Sequence, residues 1–328
     1  MTKIQKTDIH SYSFSLQNNF ELLEGGVLLG NVKTILKQYG NTVSKYINIS
    51  DITSDGFLLY VPANAMALAP IHVTCLFNKS VDLQNFIIAE TGSSAQLMVS
   101  YQSKNNSQKL RVNDTTNVIM CATASLDFAR LQNNDIQLNA QTNVRQAAHS
   151  SMKTHFVTMS AQKVYNKLKV YLDGIKAEHS VYGLSLTRQS EHVDNDVEII
   201  HASADCQSTQ LFKHILSDVS TGMFTGRIIV NKDSQKTVAY QRSSNILINP
   251  KAKMNMRPQL EIYADDVKCS HGATTGQLDA EAIFYLRSRG ISEKRAKKIL
   301  LQAFADEVID NMTCKPFKKI TTQNLKIS

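Results

Sequence analysis

Cys269-Ser270-His271 is the segment whose residue types and spacing are best suited to chemistry. On an extended strand, residues two apart share a face, so the thiol and the imidazole become neighbours. Such a pair suits a thiolate stabilised by an imidazolium, or two ligands to a soft or borderline metal. Asp265 and Asp266 lie just upstream, where they either orient a donor or end the strand. The reading takes Val267–His271 as a continuation of the strand through Glu261–Ala264. The same spacing also describes a buried cysteine packed as a small hydrophobe beside a surface histidine, and taken alone it favours that plainer account.

The remaining candidates for chemistry are weaker. Cys75, Cys121, Cys206 and Cys314 are far apart, and no Cys-x-x-Cys pair closes a zinc site. His201 and Cys206 do not have a recurrent ligand spacing, and packing accounts for both. Gly25-Gly26-Val27-Leu28-Leu29-Gly30-Asn31-Val32-Lys33-Thr34 imitates a phosphate loop, but Asn31-Val32 breaks the required Gly-Lys-Ser/Thr. There is no Gly-x-Gly-x-x-Gly either, so any ATP dependence belongs to a partner, and the absence of Gly-x-Ser-x-Gly removes the commonest serine hydrolase elbow.

The elements that must position Cys269 and His271 read as strands. From about Phe57 to Asp266, short apolar or alternating runs recur: Gln96–Tyr101, Leu110–Val112, Asn117–Met120, Lys167–Leu172, Arg227–Val230, Thr237–Tyr240 and Gln259–Tyr263. Their spacing, with no helical period between them, indicates an all-β core. The scarcity of glycine and proline tilts the expectation from tight hairpins toward a coil of short strands. A short helix is expected around Val32–Tyr39. After Gly276 the pattern turns helical. Asp279 caps a first helix that Gly290 stops, and Ser292 caps a second. Ala296, Ile299, Leu300, Ala303, Phe304 and Val308 form that second helix's apolar stripe. Residues 311–328 read as a polar, basic tail.

Composition sets the outer bounds. The chain has 328 residues, 42% hydrophobic and 20% charged, which is enough to bury a core. Its net charge of +8 permits an acidic partner without naming one. Five cysteines and no leading signal peptide argue for reduced thiols in a cytoplasmic setting. Phe57–Phe77 carries no charged residue, but Pro62 and Pro70 break it and favour two strands over a membrane span. Nucleic-acid binding has only the net charge behind it, since no aromatic-studded basic strand or recognition helix is read from the sequence.

The stretch Pro258-Gln259-Leu260-Glu261-Ile262-Tyr263-Ala264-Asp265-Asp266-Val267-Lys268-Cys269-Ser270-His271-Gly272-Ala273-Thr274, followed by Phe284-Tyr285-Leu286-Arg287-Ser288-Arg289-Gly290-Ile291, closely resembles the SufB/SufD family of iron–sulfur cluster assembly proteins. The Cys-Ser-His form resembles the SufD branch. The likeness continues through His201, Ser208, Gln210, Phe224, Gly226, Gln241, Asn245 and Leu247 upstream and Ala296, Leu300, Phe304 and Glu307 downstream. It is dense over residues 197–310 and only stylistic from Phe57 to about residue 196.

The resemblance implies a right-handed parallel β-helix followed by a small C-terminal helical domain. Domain bounds follow as a short N-terminal segment over 1–55, the β-helix core over 56–277, and helices with a basic tail over 278–328. It also implies a non-catalytic scaffold that pairs with a SufB-like paralogue, or with itself in isolation, and docks the ATPase SufC. By the same resemblance, Phe284, Tyr285, Leu286, Arg289, Ile299, Leu300 and Phe304 dock SufC. Cys269 and His271 would hold a transient iron–sulfur cluster at the subunit interface, with no tightly bound cofactor in the isolated chain. Family members carry a longer N-terminal region than the roughly fifty residues that precede the core here. Two other classes remain to be weighed. They are a polysaccharide-acting β-helix enzyme, which needs carboxylate or arginine clusters on one face, and a Cys/His hydrolase using Cys269.

Overall fold

The computed structural model describes residues 9–14, 20–103, 110–133, 136–160 and 162–325. Its strands alternate between two sheets as the chain advances, so each sheet collects every second strand. The result is a parallel β-solenoid of about seven turns. Lys163–Leu172 shows why the sequence adopts it. Val164, Asn166, Leu168, Val170 and Leu172 point into the lumen, while Lys163, Tyr165, Lys167, Lys169 and Tyr171 face out. Successive turns stack in register, with Lys163 beside His192, His192 beside Thr221, and Thr221 beside Lys253.

One corner column explains how so few glycines suffice. Thr123, His149, Lys176, Asp205 and Lys236 all hold positive φ near 60°. This left-handed conformation costs about 1–2 kcal/mol per residue. Each of these residues donates its N–H to the carbonyl of the next turn, for example Thr123 to Ala148 at 2.9 Å and Asp205 to Gln235 at 2.9 Å. The turn-to-turn ladder offsets the strain.

Strand His10–Phe14 pairs in parallel with Ile71–Phe77, so the first sheet begins well before residue 56. Phe20–Leu22 and Leu28–Asn31 extend the second sheet antiparallel to Phe57–Val61. The boundary near residue 55 is therefore a change of pairing direction within one body. Helix α1, Val32–Val43, is the short helix expected around Val32–Tyr39 extended to Val43, and Asn31 caps it by accepting from Thr34 N–H. Val32, Ile35 and Val43 cover Leu58, Tyr60, Phe86 and Ile88 on the outer face of the second sheet.

Three helices follow the last strand: α2 (Ala280–Ser288), α3 (Glu293–Ile309) and α4 (Lys315–Asn324). Asp279 caps α2 as expected. Ser292 holds the cap position of α3 without a side-chain bond. The stretch from 311 is not a free tail. Phe317, Met312 and Cys314 are buried against Met98, Ala129, Leu131 and Val157 of the first sheet. The apolar stripe of α3 is also rotated from the expected one. Leu301, Ala305, Val308 and Ile309 pack on Tyr182, Leu184, Leu211 and Ile215, while Ile299 and Ala303 face outward. An apolar residue on each side of the helix makes both stripes legible, and only the sheet decides which one is buried. No helix among the described residues is long and apolar enough to cross a membrane.

Candidate functional site

Cys269 and His271 lie on Lys268–Gly276, the last strand of the first sheet. This strand does not continue Glu261–Ala264, because Lys253–Ile262 belongs to the other sheet and the chain turns a corner between them. Asp266 serves that corner, where its carbonyl accepts from Lys236 N–H at 2.6 Å and its N–H donates to Gln235 Oε1 at 2.9 Å. Neither Asp265 nor Asp266 bonds His271. The two-residue spacing still sets both candidate side chains on one face.

That face is the lumen side. Cys269 stands beside Ala239 and His271 beside Gln241 in the adjoining turn. Ala239 and Gln241 are themselves buried, next to Ser208 and Gln210 one turn further in. Cys269 is half-buried against the cluster of Ile228, Val230, Ala239 and Ala264. Burial pushes its thiol above its ordinary value, only partly opposed by the Ala239 backbone. The thiol is therefore protonated at neutral pH. Any metal that took it as a thiolate ligand would have to displace that proton. His271 is exposed.

Below the pair, the lumen is polar. His201 Nε2 and Ser208 Oγ lie 2.8 Å apart. The amide ends of Gln210 and Gln241 are buried with no hydrogen-bond partner among the described residues. Gly226 makes room for Gln241, since a Cβ there would come within 2.5 Å of the amide nitrogen. Beside His271, a groove of about 440 Å³ is lined by Thr209, Leu211, Tyr240, Arg242 and Ser270.

The terminal turn is an open end. Neither Lys253–Ile262 nor Lys268–Gly276 has a further strand on its outer edge among the described residues, and every residue of the former is at least partly exposed. Unpaired backbone donors and acceptors on two adjacent edges form a template for another chain. No group of three or more His, Cys, Asp or Glu suited to a metal exists among the described residues. Cys269 and His271 are therefore two potential ligands without a third beside them among the described residues.

The residues expected to dock an ATPase divide into three groups. Phe284, Tyr285, Arg289 and Ile299 are exposed, Phe284 at 72%, while Leu286 and Leu300 are half-buried. Phe304 is turned toward the solenoid, where the Lys213 ammonium sits 4.1 Å from its ring centroid. Of the other cysteines, Cys75, Cys206 and Cys314 are buried and Cys121 is half-buried.

The outer face of the second sheet corrects the reading that the chain has no aromatic-studded basic strand. Lys163, Tyr165, Lys167, Lys169 and Tyr171 do form an aromatic-studded basic strand. Asp194, Asp196 and Glu198 gather as carboxylates on the next strand. The two rows face each other, and Glu198 binds Lys169 at 2.8 Å and Arg227. Only Glu198 is neutralised this way; Asp194 and Asp196 make no ion pair among the described residues, and burial and then Asp196 push the Asp194 carboxyl above its ordinary value. Alternation along each strand put these residues on one side, and only stacking of turns set the two rows together.

A family model described as "SUF system FeS cluster assembly, SufBD core domain" matches residues 78–304. The chain is 32% identical over 302 residues to an iron–sulfur cluster assembly SufBD family protein of Synechocystis, covering 84% of this chain and 64% of that relative. It is 37% identical over 157 residues to the iron–sulfur cluster assembly protein SufD of Escherichia coli, covering 48% of this chain and 37% of that protein. The SufD protein of Bacillus subtilis is 24% identical over 326 residues, covering 91% of this chain and 73% of its own length. The chain thus spans less than two thirds of the first two relatives. The matched segment contains both Cys269 and His271 and every solenoid strand from Val81 onward, and on this evidence the chain belongs to the SufB/SufD family of iron–sulfur cluster assembly proteins, on its SufD side.

Proposed function

We propose that this chain is a scaffold subunit in iron–sulfur cluster assembly. It pairs through its open terminal turn with a SufB-type paralogue and carries a SufC-type ATPase on α2 and α3. The observation that carries the proposal is the placement of Cys269 and His271 side by side on the strand with the unpaired edge. The cluster is cargo here. A thiol and an imidazole from one chain supply a mixed, incomplete ligand set, which holds iron and sulfide less permanently than four cysteines of one chain would. Lability suits a scaffold that must hand its cluster on. ATP binding by the partner supplies a ligand that biases the interface between closed and open states. The chain itself contributes positioning and ligands to this scheme, with no bond-breaking step of its own. A Cys/His hydrolase would need a group that orients the imidazole, and no side chain among the described residues bonds His271.

The test is anaerobic reconstitution of the three-protein complex with iron and sulfide, read by visible absorption and by iron and sulfide content. Cys269→Ser and His271→Ala should each lower cluster yield severalfold while the complex still assembles by size exclusion. Wild-type cluster content in the Cys269→Ser, His271→Ala double variant would reject the site. A wild-type complex that never accumulates a cluster would reject the scaffold role.

A further inference from the structure

The α2–α3 hairpin breaks rules that a helix pair built for its own stability would keep. Between Phe284 and Phe304 there are six cations, Arg287, Arg289, Lys294, Arg295, Lys297 and Lys298, against one carboxylate, Glu293. Lys294 and Arg295 sit in the first turn of α3, where the helix dipole disfavours positive charge. Lys294 and Lys298 are a like-charged i, i+4 pair, which repels. Glu293 is already engaged by Lys297 at 2.8 Å and Arg287 at 3.6 Å. Among the described residues, no carboxylate pairs with Lys294, Arg295 or Lys298. Further along, Glu307 is on Lys213 and Arg242, Asp306 accepts from Gln302 Nε2, and Asp310 at the end of the helix is on Lys318.

The same hairpin carries exposed apolar side chains. Phe284 is 72% exposed, Tyr285 58% and Ile299 40%, and α2 buries no residue at all. Arg289 lies over the Tyr285 ring, 5.4 Å from its centroid, so cation and aromatic surface form one patch. Exposed aromatics on a hairpin that also carries the unpaired cations Lys294, Arg295 and Lys298, with Glu281 the one carboxylate in the first turn of α2, offer the apolar centre and charged rim of an interface.

We infer that the α2–α3 hairpin recognises a protein partner whose apolar cleft is rimmed by aspartate and glutamate, and that Lys294, Arg295 and Lys298 steer the encounter electrostatically. The inference rests on the proposal that this hairpin carries the ATPase, and it adds the chemistry of the ATPase's contact face. Unpaired cations that weaken the free helix become favourable when opposed by a partner's carboxylates. The anchoring contacts come from Phe284, Tyr285 and Ile299.

The test is association kinetics between the full chain and the SufC-type ATPase of the same organism, measured from about 50 to about 500 mM salt, a range over which the Debye length shrinks severalfold. Expected for the wild type is an association rate that falls at least tenfold across that range. Reversal of Lys294, Arg295 and Lys298 to Glu should cut the low-salt association rate by about tenfold or more and flatten its salt dependence, with dissociation changed little. Neutral Gln replacements should fall between. Phe284→Ala with Tyr285→Ala should instead raise the dissociation rate. Circular dichroism and thermal melts confirm that each variant is folded.

Binding that is tight but insensitive to salt and to charge reversal would overturn the steering inference and leave the docking proposal standing. No binding by wild-type chain would overturn the docking proposal itself. Anionic phosphatidylglycerol vesicles serve as a competitor surface. Binding to them that charge reversal abolishes, with ATPase kinetics unchanged, would reassign the patch to a lipid surface and overturn the inference.

Discussion

Glu307 on α3 forms an ion pair with Lys213 of the strand Gln207–Leu216, whose side chain is only 6% exposed. The same carboxylate also meets Arg242 on the neighbouring strand, one turn from the strand that carries Cys269. One glutamate therefore ties the helical hairpin to two consecutive turns of the solenoid wall. Removing it leaves the Lys213 ammonium buried without its counter-ion. Because Glu307 is itself 43% exposed, water screens part of the loss. Glu307→Gln should cost about 1–3 kcal/mol. Amide exchange should rise in Glu293–Ile309 and stay unchanged in Lys163–Leu172. Unchanged exchange in α3 would show that the apolar contacts of Leu301 and Val308 hold the helix without the ion pair.

The lumen leaves no slack at Gly183. A Cβ built there meets the Phe212 ring at 2.1 Å. Phe212 is fully buried beside Phe224 and cannot move away. Gly183→Ala should destabilise by about 1–3 kcal/mol, the cost of overpacking. Gly272 has nothing within 4 Å of the same position, so Gly272→Ala should stay within about 0.5 kcal/mol. Denaturant melts of the two variants give the comparison, and equal midpoints would contradict the packing described.

Three histidines sit neutral in the interior. Burial holds the His179 imidazole down at about 3, with His201 adding to the shift, and holds His201 and His214 at about 4. Their hydrogen bonds go to Gln146 and Thr154, Ser208, and Asn245 and Asn195 respectively. Below the unfolded value of about 6.5 the unfolded chain takes up protons that the native chain refuses. Stability is thus complete above that value and is lost as pH falls from about 6.5 toward about 4 for His201 and His214 and toward about 3 for His179, by on the order of 3–5 kcal/mol for each histidine. His214→Asn, roughly isosteric and not titrating, should flatten the slope of melting temperature against pH across that window. An unchanged slope would count against the assignment.

The cysteines should separate by reactivity. Cys75, Cys206 and Cys314 are buried, whereas Cys121 and Cys269 are half-exposed. Iodoacetamide followed by mass spectrometry should label those two first in the folded chain. Burial raises the Cys269 thiol, so its labelling rate should keep climbing above pH 9 as thiolate accumulates. A rate that levels off near pH 8 would mean a thiolate already stabilised in the free chain. Addition of the paralogue should protect Cys269 and leave Cys121 reactive.

Cys269 occupies a terminal turn, not the deep core, so its replacement should be tolerated. Cys269→Ser should change stability by less than about 1 kcal/mol. Any loss of cluster in that variant then reports the ligand and not the fold. A large drop in melting temperature would undo that separation and shift the burden of proof to His271→Ala.

Several features could be read from residue order alone. Alternation in Lys163–Leu172 is a property of the strand period, and the Cys269 and His271 pairing on one face follows from the same geometry. The Asp279 cap and the Gly290 stop of α2 are local backbone chemistry, hence legible. Other features were not. Thr123, His149, Lys176, Asp205 and Lys236 bear left-handed corners that ordinarily call for glycine, because a ladder between turns offsets their strain, and that ladder exists only after coiling. The face of α3 that is buried was undecidable while Ile299 and Leu301 both offered apolar surface, until Leu211 and Ile215 took one of them. Phe317 was hidden among lysines in an apparent tail and became core only because the first sheet presents Leu131 and Val157 beneath it. Residue spacing determined what Cys269 and His271 are to each other. Tertiary structure alone decided that they stand at an unpaired edge above a polar lumen, since an edge is defined by which strand comes last in the stack.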